Sequence, residues 1–203
     1  ANEDGSFAFE IAAVEITGKA GVEKLDKDEQ PAKGKPEKIP TLKPAFKKDG
    51  TITAANASSI SDGAAALVLM SESEAKKRGI KPLARIVAQA THSRLPAEFT
   101  IAPVTAIKSV LDKAGWKAGD VDLWEINEAF AVVTMAAMKE HNLPHNKVNI
   151  HGGACALGHP IGASGARITA TLIAALKKTG GKRGIATLCI GGGEAVALAL
   201  EMV

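Results

Sequence analysis

Apolar positions come in blocks along the chain, and the spacing within them shifts from one block to the next. Residues 7–16 read as one strand. Over residues 17–50, lysines, aspartates, glutamates and four prolines (Pro31, Pro36, Pro40, Pro44) interrupt apolar pairing at either period, which predicts a solvated, irregular segment. Residues 64–70 form an unbroken apolar run, the pattern of a strand buried on both faces. Ser71 and Glu74 then open a helix by the capping-box pattern, and Gly79 ends it ahead of Pro82. Strands and helices alternate from there. Strands are expected at 82–90, 121–126, 147–150, 183–190 and 195–202. Helices are expected at 103–114, 129–141 and 162–179, with Gly115, Pro144 and the Gly180-Gly181 pair marking their ends. The alternation predicts an α/β layered sheet, and no fixed-period repeat interrupts it.

Composition narrows the function classes. With 46% hydrophobic residues in 203, the chain can build a sizeable core, which excludes disorder as its main state. Its 25 basic and 22 acidic side chains leave +3, too mild for a nucleic-acid binder. Aromatics at 3%, with no Tyr, supply no stacking platform for single strands. Twenty glycines instead point to close backbone approach. Cys155 and Cys189 make no disulfide framework, and the His151 to Cys155 spacing lacks the second pair a tetrahedral metal site needs. A reducing, intracellular compartment is expected. No window of about 18 apolar residues and no basic leader is present, so the expectation is a soluble protein, shortened at its front and bound to neither membrane nor nucleic acid.

Four stretches put reactive or permissive residues where strands give way to helices, the place where open α/β sheets bind ligands. In 124–130 (Trp-Glu-Ile-Asn-Glu-Ala-Phe), Asn127 taken alone reads first as a helix cap and second as a polar hand in a cleft. Glu128 suits the helix dipole. Residues 151–165 hold five glycines ahead of a helix N-terminus, with His159 locked between Gly158 and Pro160 as an acid/base candidate. A phosphate loop is weak because Gly-Lys-Ser/Thr is absent. In 186–193, Cys155's counterpart Cys189 ends a strand before three glycines that would expose its sulfur and free backbone N–H groups as an oxyanion hole, whereas Cys155 reads as an inert small hydrophobe. Residues 53–63 are either a polar turn or a small-residue wall for a long, thin ligand, with Ser58 hydrogen bonding to it.

The order of Asn127-Glu128-Ala129-Phe130, Gly158-His159-Pro160 with Gly162-Ala163-Ser164-Gly165, and Cys189-Ile190-Gly191-Gly192-Gly193 resembles the thiolase family, the acetyl-CoA acetyltransferases. Asn56-Ala57-Ser58 and Asp62-Gly63-Ala64-Ala65-Ala66 add to the resemblance, which spans nearly the whole chain from about residue 40. It implies a layered α-β-α-β-α fold and a Claisen condensation of two acetyl-CoA to acetoacetyl-CoA plus CoA, and the reverse thiolysis, in lipid metabolism. By resemblance Cys189 is the acid/base cysteine, near neutral pKa. His159 activates the nucleophile and helps bind the thioester oxygen, Asn127 holds a water beside it, and the Gly191 N–H belongs to a second oxyanion hole. Ala54, Ser58, Ala129 and Phe130 would contact CoA.

The family's acyl-carrying cysteine lies in a Cys-Gly-Ser-Gly type motif, and neither cysteine here has that context. The resemblance therefore implies a C-terminal half: residues 1–60 ending a CoA-covering loop domain, 61–81 the last strand and helix of the N-terminal domain, and 82–203 the C-terminal domain. Such a piece is expected to expose a sheet edge and an apolar face and to be inactive alone. A dimer or tetramer of the full-length protein is implied, with no tightly bound cofactor. Location is cytoplasmic, or the mitochondrial matrix for a eukaryotic source. Phe99 and the Ile101-Ala102-Pro103 stretch resemble short-chain members, some of which take 2-methyl substrates and bind potassium near Ala54, Ala55, Ala57 and Cys155. The alternatives are a non-catalytic CoA- or acyl-binding module and a condensing enzyme acting on acyl-carrier proteins; the latter usually has histidine or asparagine where Cys189 stands.

Overall fold

A computed structural model of the protein describes all of residues 1–203. Its centre is a four-stranded mixed sheet, in the order β3 (Ala84–Ser93), β6 (Glu194–Met202), β5 (Arg183–Cys189), β4 (Leu123–Ile126). β6 runs antiparallel to both neighbours, and β4 is parallel to β5 with Ile126 opposite Thr187. Alternation along β6 divides its faces: Ala195, Ala197 and Ala199 turn to one side, Leu198 and Leu200 to the other. Helix α3 (Ala102–Ala114) settles on the alanine side with Ile107 and Val110 fully buried, and helix α4 (Ala131–His141) packs beside it. Helix α6 (Ser164–Thr179) covers the opposite face through Ile168, Leu172 and Leu176. The result is an α-β-α stack.

Helix ends follow the sequence expectation. Single-turn helices form at α1 (Gln30–Lys33) and α5 (Ala154–Leu157). Ser71 Oγ accepts from Glu74 N at 3.2 Å to open α2 (Glu72–Arg78), and α2, α3 and α6 each stop at a glycine with left-handed backbone. Three expected strands are corrected. Within 7–16 only β1 (Val14–Gly18) is a strand, paired in an exposed hairpin with β2 (Gly21–Leu25), which the irregular segment was not expected to contain. Before it, Ser6–Phe9 form a 3-10 turn, because Phe7 is buried edge-on against His151 and Glu10 is bonded to Thr171 of α6.

Residues 64–70 form no regular element and make no ladder bonds, and Val68 and Leu69 are 86% and 71% exposed, because no strand of this chain lies beside them. Residues 147–150 reduce to a single bridge between Trp124 and Val148. Asn149 takes φ 47°, which ends strand geometry there, and its side-chain amide completes the ladder instead. It accepts from Ile126 N at 2.8 Å and donates to Ile126 O at 2.9 Å. Helix α4 starts two residues later than expected because Ala131 N donates to Asn56 O and Ala57 bridges Phe130.

Candidate active site

The C-terminal ends of the parallel strands β4 and β5 carry the first two candidates. Asn127 leaves β4 with its N–H bonded to Thr187 O at 2.9 Å and is 1% exposed. It is not a helix cap: α4 is entered through Phe130, four residues before Thr134, whose hydroxyl reaches back to Ile126 O. Its amide Nδ2 instead stands 3.3 Å from His159 Nε2, and its Oδ1 is buried without a partner.

His159 comes to Asn127 on a loop clasped from two sides. Its N–H donates to Ser59 O at 3.0 Å, and Ile60 bridges it in parallel. Gly158 before it has φ +97°, and a Cβ there would run into the Ser61 hydroxyl, so the clasp requires glycine. On the far side of the ring, Nδ1 lies 2.5 Å from Ser164 Oγ in the first turn of α6. Ser164 Oγ gives its single proton to Pro160 O at 3.0 Å. Toward the imidazole it can therefore only accept, so Nδ1 carries the ring proton and Nε2 presents its lone pair beside the Asn127 amide. Burial, and then the Arg167 guanidinium, push His159 below its ordinary value, so the ring stays neutral and basic at Nε2.

Two residues that the sequence treated as incidental brace this arrangement. Glu128 lies ahead of α4 rather than in its first turn. Its carboxylate accepts from Cys155 N at 3.1 Å and Asn149 Nδ2 at 3.0 Å, and it occupies the space where a Gly153 Cβ would be. By sequence Ser164 is only one small residue among several. A hydroxyl five residues after a framed histidine, at a helix start, was the available signal.

Cys189 differs from expectation. It ends β5 opposite Ala195 and is buried, 7% exposed. Burial pushes its thiol up to about 11, and no cation offsets this, so it rests as a protonated acid rather than near neutrality. The ring nitrogens of His159 are taken by Asn127 and Ser164, and no hydrogen bond joins His159 to Cys189. The glycines after Cys189 do leave backbone donors: the N–H groups of Gly191 and Gly192 are exposed and have no internal acceptor. Cys155 is pushed up to about 12 by burial and by Glu128.

The four residues expected to touch CoA lie at the rim. Ser58 spends its N–H and hydroxyl on Ala129 O at 3.1 and 3.0 Å, tying the 53–61 segment to the loop after β4. Ala54 is exposed on a turn whose N–H groups are held by Asn56 and Thr53 side chains. Phe130 sits edge-on between Phe46 and Phe99. Clustered His, Cys, Asp or Glu side chains fit to hold a metal ion are absent.

The description "Thiolase, C-terminal domain" matches residues 80–202 and "Thiolase, N-terminal domain" matches residues 1–73, so the chain belongs to the thiolase family. Among its relatives is the probable acetyl-CoA acetyltransferase of Dictyostelium discoideum, 51% identical over 99% of this chain and 49% of that protein. The crystal structure of the Bacillus anthracis acetyl-CoA acetyltransferase superposes with TM-score 0.95 at 48% identity, covering 99% of this chain and 51% of that one. Acat5 thiolase from Ascaris suum, solved in complex with coenzyme A, superposes with TM-score 0.87 at 40% identity, covering 99% and 51%. The chain spans about half the length of the relatives it matches, and it has their layered α/β fold.

Proposed function

We propose that the chain is the C-terminal catalytic portion of a short-chain thiolase that condenses two acetyl-CoA to acetoacetyl-CoA and CoA and runs the reverse thiolysis. The observation that carries this is the Ser164–His159–Asn127 relay, which fixes a neutral imidazole with its Nε2 lone pair toward the Asn127 amide, whose oxygen is buried and unpaired. In the forward direction Nε2 takes a thiol proton, becomes an N–H donor and faces the developing thioester oxygen. Asn127 Oδ1 is placed to hold a water that supplies a second donor. Cys189, protonated at rest, gives its proton to the CoA thiolate that leaves in the first acyl transfer, the thiolate so formed takes a proton from the α-carbon of the second acetyl-CoA, and the free Gly191 N–H serves the other oxyanion. CoA is a substrate and product, and it lies along Ala54, Ser58, Ala129 and Phe130.

The division into 1–60, 61–81 and 82–203 belongs to the same proposal, as do homo-oligomerisation, a cytoplasmic location and potassium near Ala54, Ala55, Ala57 and Cys155. Neither thiol of this chain is suited to carry the acyl group, so pure chain does not cleave acetoacetyl-CoA; measurable CoA-dependent cleavage overturns this. Deuterium uptake into the methyl of acetyl-CoA, read by mass spectrometry, tests the half-reaction. Uptake lost in Cys189→Ala and His159→Ala supports catalysis. No uptake from the native chain, with CoA still bound, supports the alternative, a non-catalytic CoA- or acyl-binding module, which the depth and high pKa of Cys189 favour.

A further inference from the structure

The main chain of His159 rests on a polar chain that the reaction above does not use. The His159 N–H donates to Ser59 O at 3.0 Å. Ser61 Oγ donates to the same carbonyl at 3.1 Å, and a carbonyl can only accept, so the single Ser61 hydroxyl proton is committed there. Ser59 Oγ lies 3.1 Å from Ser61 Oγ and is therefore the donor between them. With its own proton given away, Ser59 Oγ accepts from Gln30 Nε2 at 2.9 Å. Each hydroxyl gives one proton and takes one. The direction is fixed from end to end: Gln30 amide to Ser59, Ser59 to Ser61, Ser61 to the carbonyl that holds His159. Gln30 heads the chain.

Gln30 opens α1, which packs against α5, the single turn that delivers His159. Apart from an exposed Lys33–Glu29 pair at 3.6 Å, the bond to Ser59 is the one side-chain bond that α1 makes. The same network also seats the residue before the histidine, since a Cβ on Gly158 would run into Ser61 Oγ. Of the two contacts to the imidazole, the one most exposed to a main-chain shift is the longer: Asn127 Nδ2 is 3.3 Å from Nε2, against 2.5 Å between Nδ1 and Ser164 Oγ. A hydrogen bond near the long end of its range has little tolerance for further separation or misalignment.

We propose that Gln30 is a positioning residue for His159: acting through Ser59 and Ser61, it fixes the carbonyl and the hydroxyl on which the Gly158–His159 main chain rests, and so holds the imidazole within reach of Asn127. The use of that contact rests on reading His159 and Asn127 as the reacting pair, but the clasp is measured without turnover.

Amide hydrogen exchange of the full chain, followed residue by residue by proton–nitrogen spectroscopy, reads the His159 N–H directly, with the slowest amides of β5 and β6 as the gauge of global opening. Long-range proton–nitrogen spectra read Nε2, and Asn127→Ala marks its shift when the amide is gone. Gln30→Met, similar in length but without a donor, is expected to lower protection of the His159 amide roughly two- to tenfold beyond any change in β5 and β6, the size of one net hydrogen bond. It also moves Nε2 toward its Asn127→Ala value. Ser59→Ala produces the same loss, and in that background Gln30→Met adds nothing further. A merely structural role makes the two losses add, or lowers β5 and β6 equally, and either result overturns the proposal. Lowered protection with Nε2 unmoved overturns it too. Should Gln30→Met fail to fold, Gln30→Glu, which keeps the length but offers an acceptor where Ser59 needs a donor, is read in the same way, and a native His159 amide that exchanges at the unprotected rate overturns the proposal with no variant at all. Should both readouts respond as expected while acetyl-CoA shows no methyl exchange, Gln30 keeps its role and the catalytic reading falls.

Discussion

Replacing Asn149 with alanine removes the side chain that substitutes for a strand at the edge of β4. The Asn149 amide accepts from Ile126 N at 2.8 Å and donates to Ile126 O at 2.9 Å and Glu128 Oε1 at 3.0 Å. Ile126 is fully buried, so its N–H would be left with no partner and no water, at about 1–3 kcal/mol. Its carbonyl keeps the Thr134 hydroxyl at 3.1 Å and adds little. The φ of 47° adds about 1 kcal/mol for a residue without the short polar side chain that tolerates left-handed backbone. Together these predict a loss of about 2–4 kcal/mol, or a melting temperature lower by roughly 4–16 °C for a chain of this size. Urea unfolding followed by far-ultraviolet circular dichroism measures it, with Asn149→Gly as the partner variant that loses the same hydrogen bonds but not the backbone tolerance. Glycine should fall between alanine and native. A loss under about 1 kcal/mol for alanine refutes the ladder argument, and alanine equal to or better than glycine refutes the backbone argument.

Other expectations follow from the same geometry. Glu125 is held up at about 8 when folded and returns to its ordinary value when unfolded, so the folded state binds the extra proton and stability falls as pH rises from about 4.5 to 8. Glu125→Gln should remove that component, so that the variant gains on the native chain toward the alkaline end in urea titrations at several pH values; a native-to-variant difference that does not change over this window contradicts the burial of Glu125. Cys189 and Cys155, pushed up to about 11 and 12, should react with iodoacetamide at pH 8 (about a free-thiol pKa) far more slowly than after unfolding, as intact mass would record, and labelling at the free-thiol rate contradicts it. Gly153→Ala should expel the Glu128 carboxylate, free Cys155 N and Asn149 Nδ2, and cost about 1–3 kcal/mol in thermal unfolding. An unshifted melting temperature would show that the carboxylate moves aside freely.

The sequence showed elements best where local chemistry decides them. Ser71 with Glu74, and the glycines at 79, 115 and 180, mark helix ends that the backbone adopts at those residues. It misled where a partner segment decides. Residues 64–70 have the composition of a core strand but find no neighbour to pair with, and 147–150 look like a strand until Asn149 turns left-handed and lends its amide instead. In the site, His159 was readable because Gly158 and Pro160 restrict it locally. Its grip by Ser164 and the burial of Cys189 were not, since both depend on how α6 and β6 pack. Glu125 and Arg167 lie 42 residues apart in the chain and meet only across the sheet–helix interface, so no motif marks them.

The clasp of His159 by Ser59 and Ile60 has a consequence for how the site comes into being. The two segments are about a hundred residues apart, with α3, α4 and two strands of the sheet, β3 and β4, encoded between them. Contacts that close so long a loop are made late and pay their entropy only after nearer ones are in place. The loop that carries His159 is therefore assembled late. Partial unfolding anywhere in the intervening core would loosen the imidazole before the helices melt, which makes the His159 resonance a sensitive gauge of the native topology.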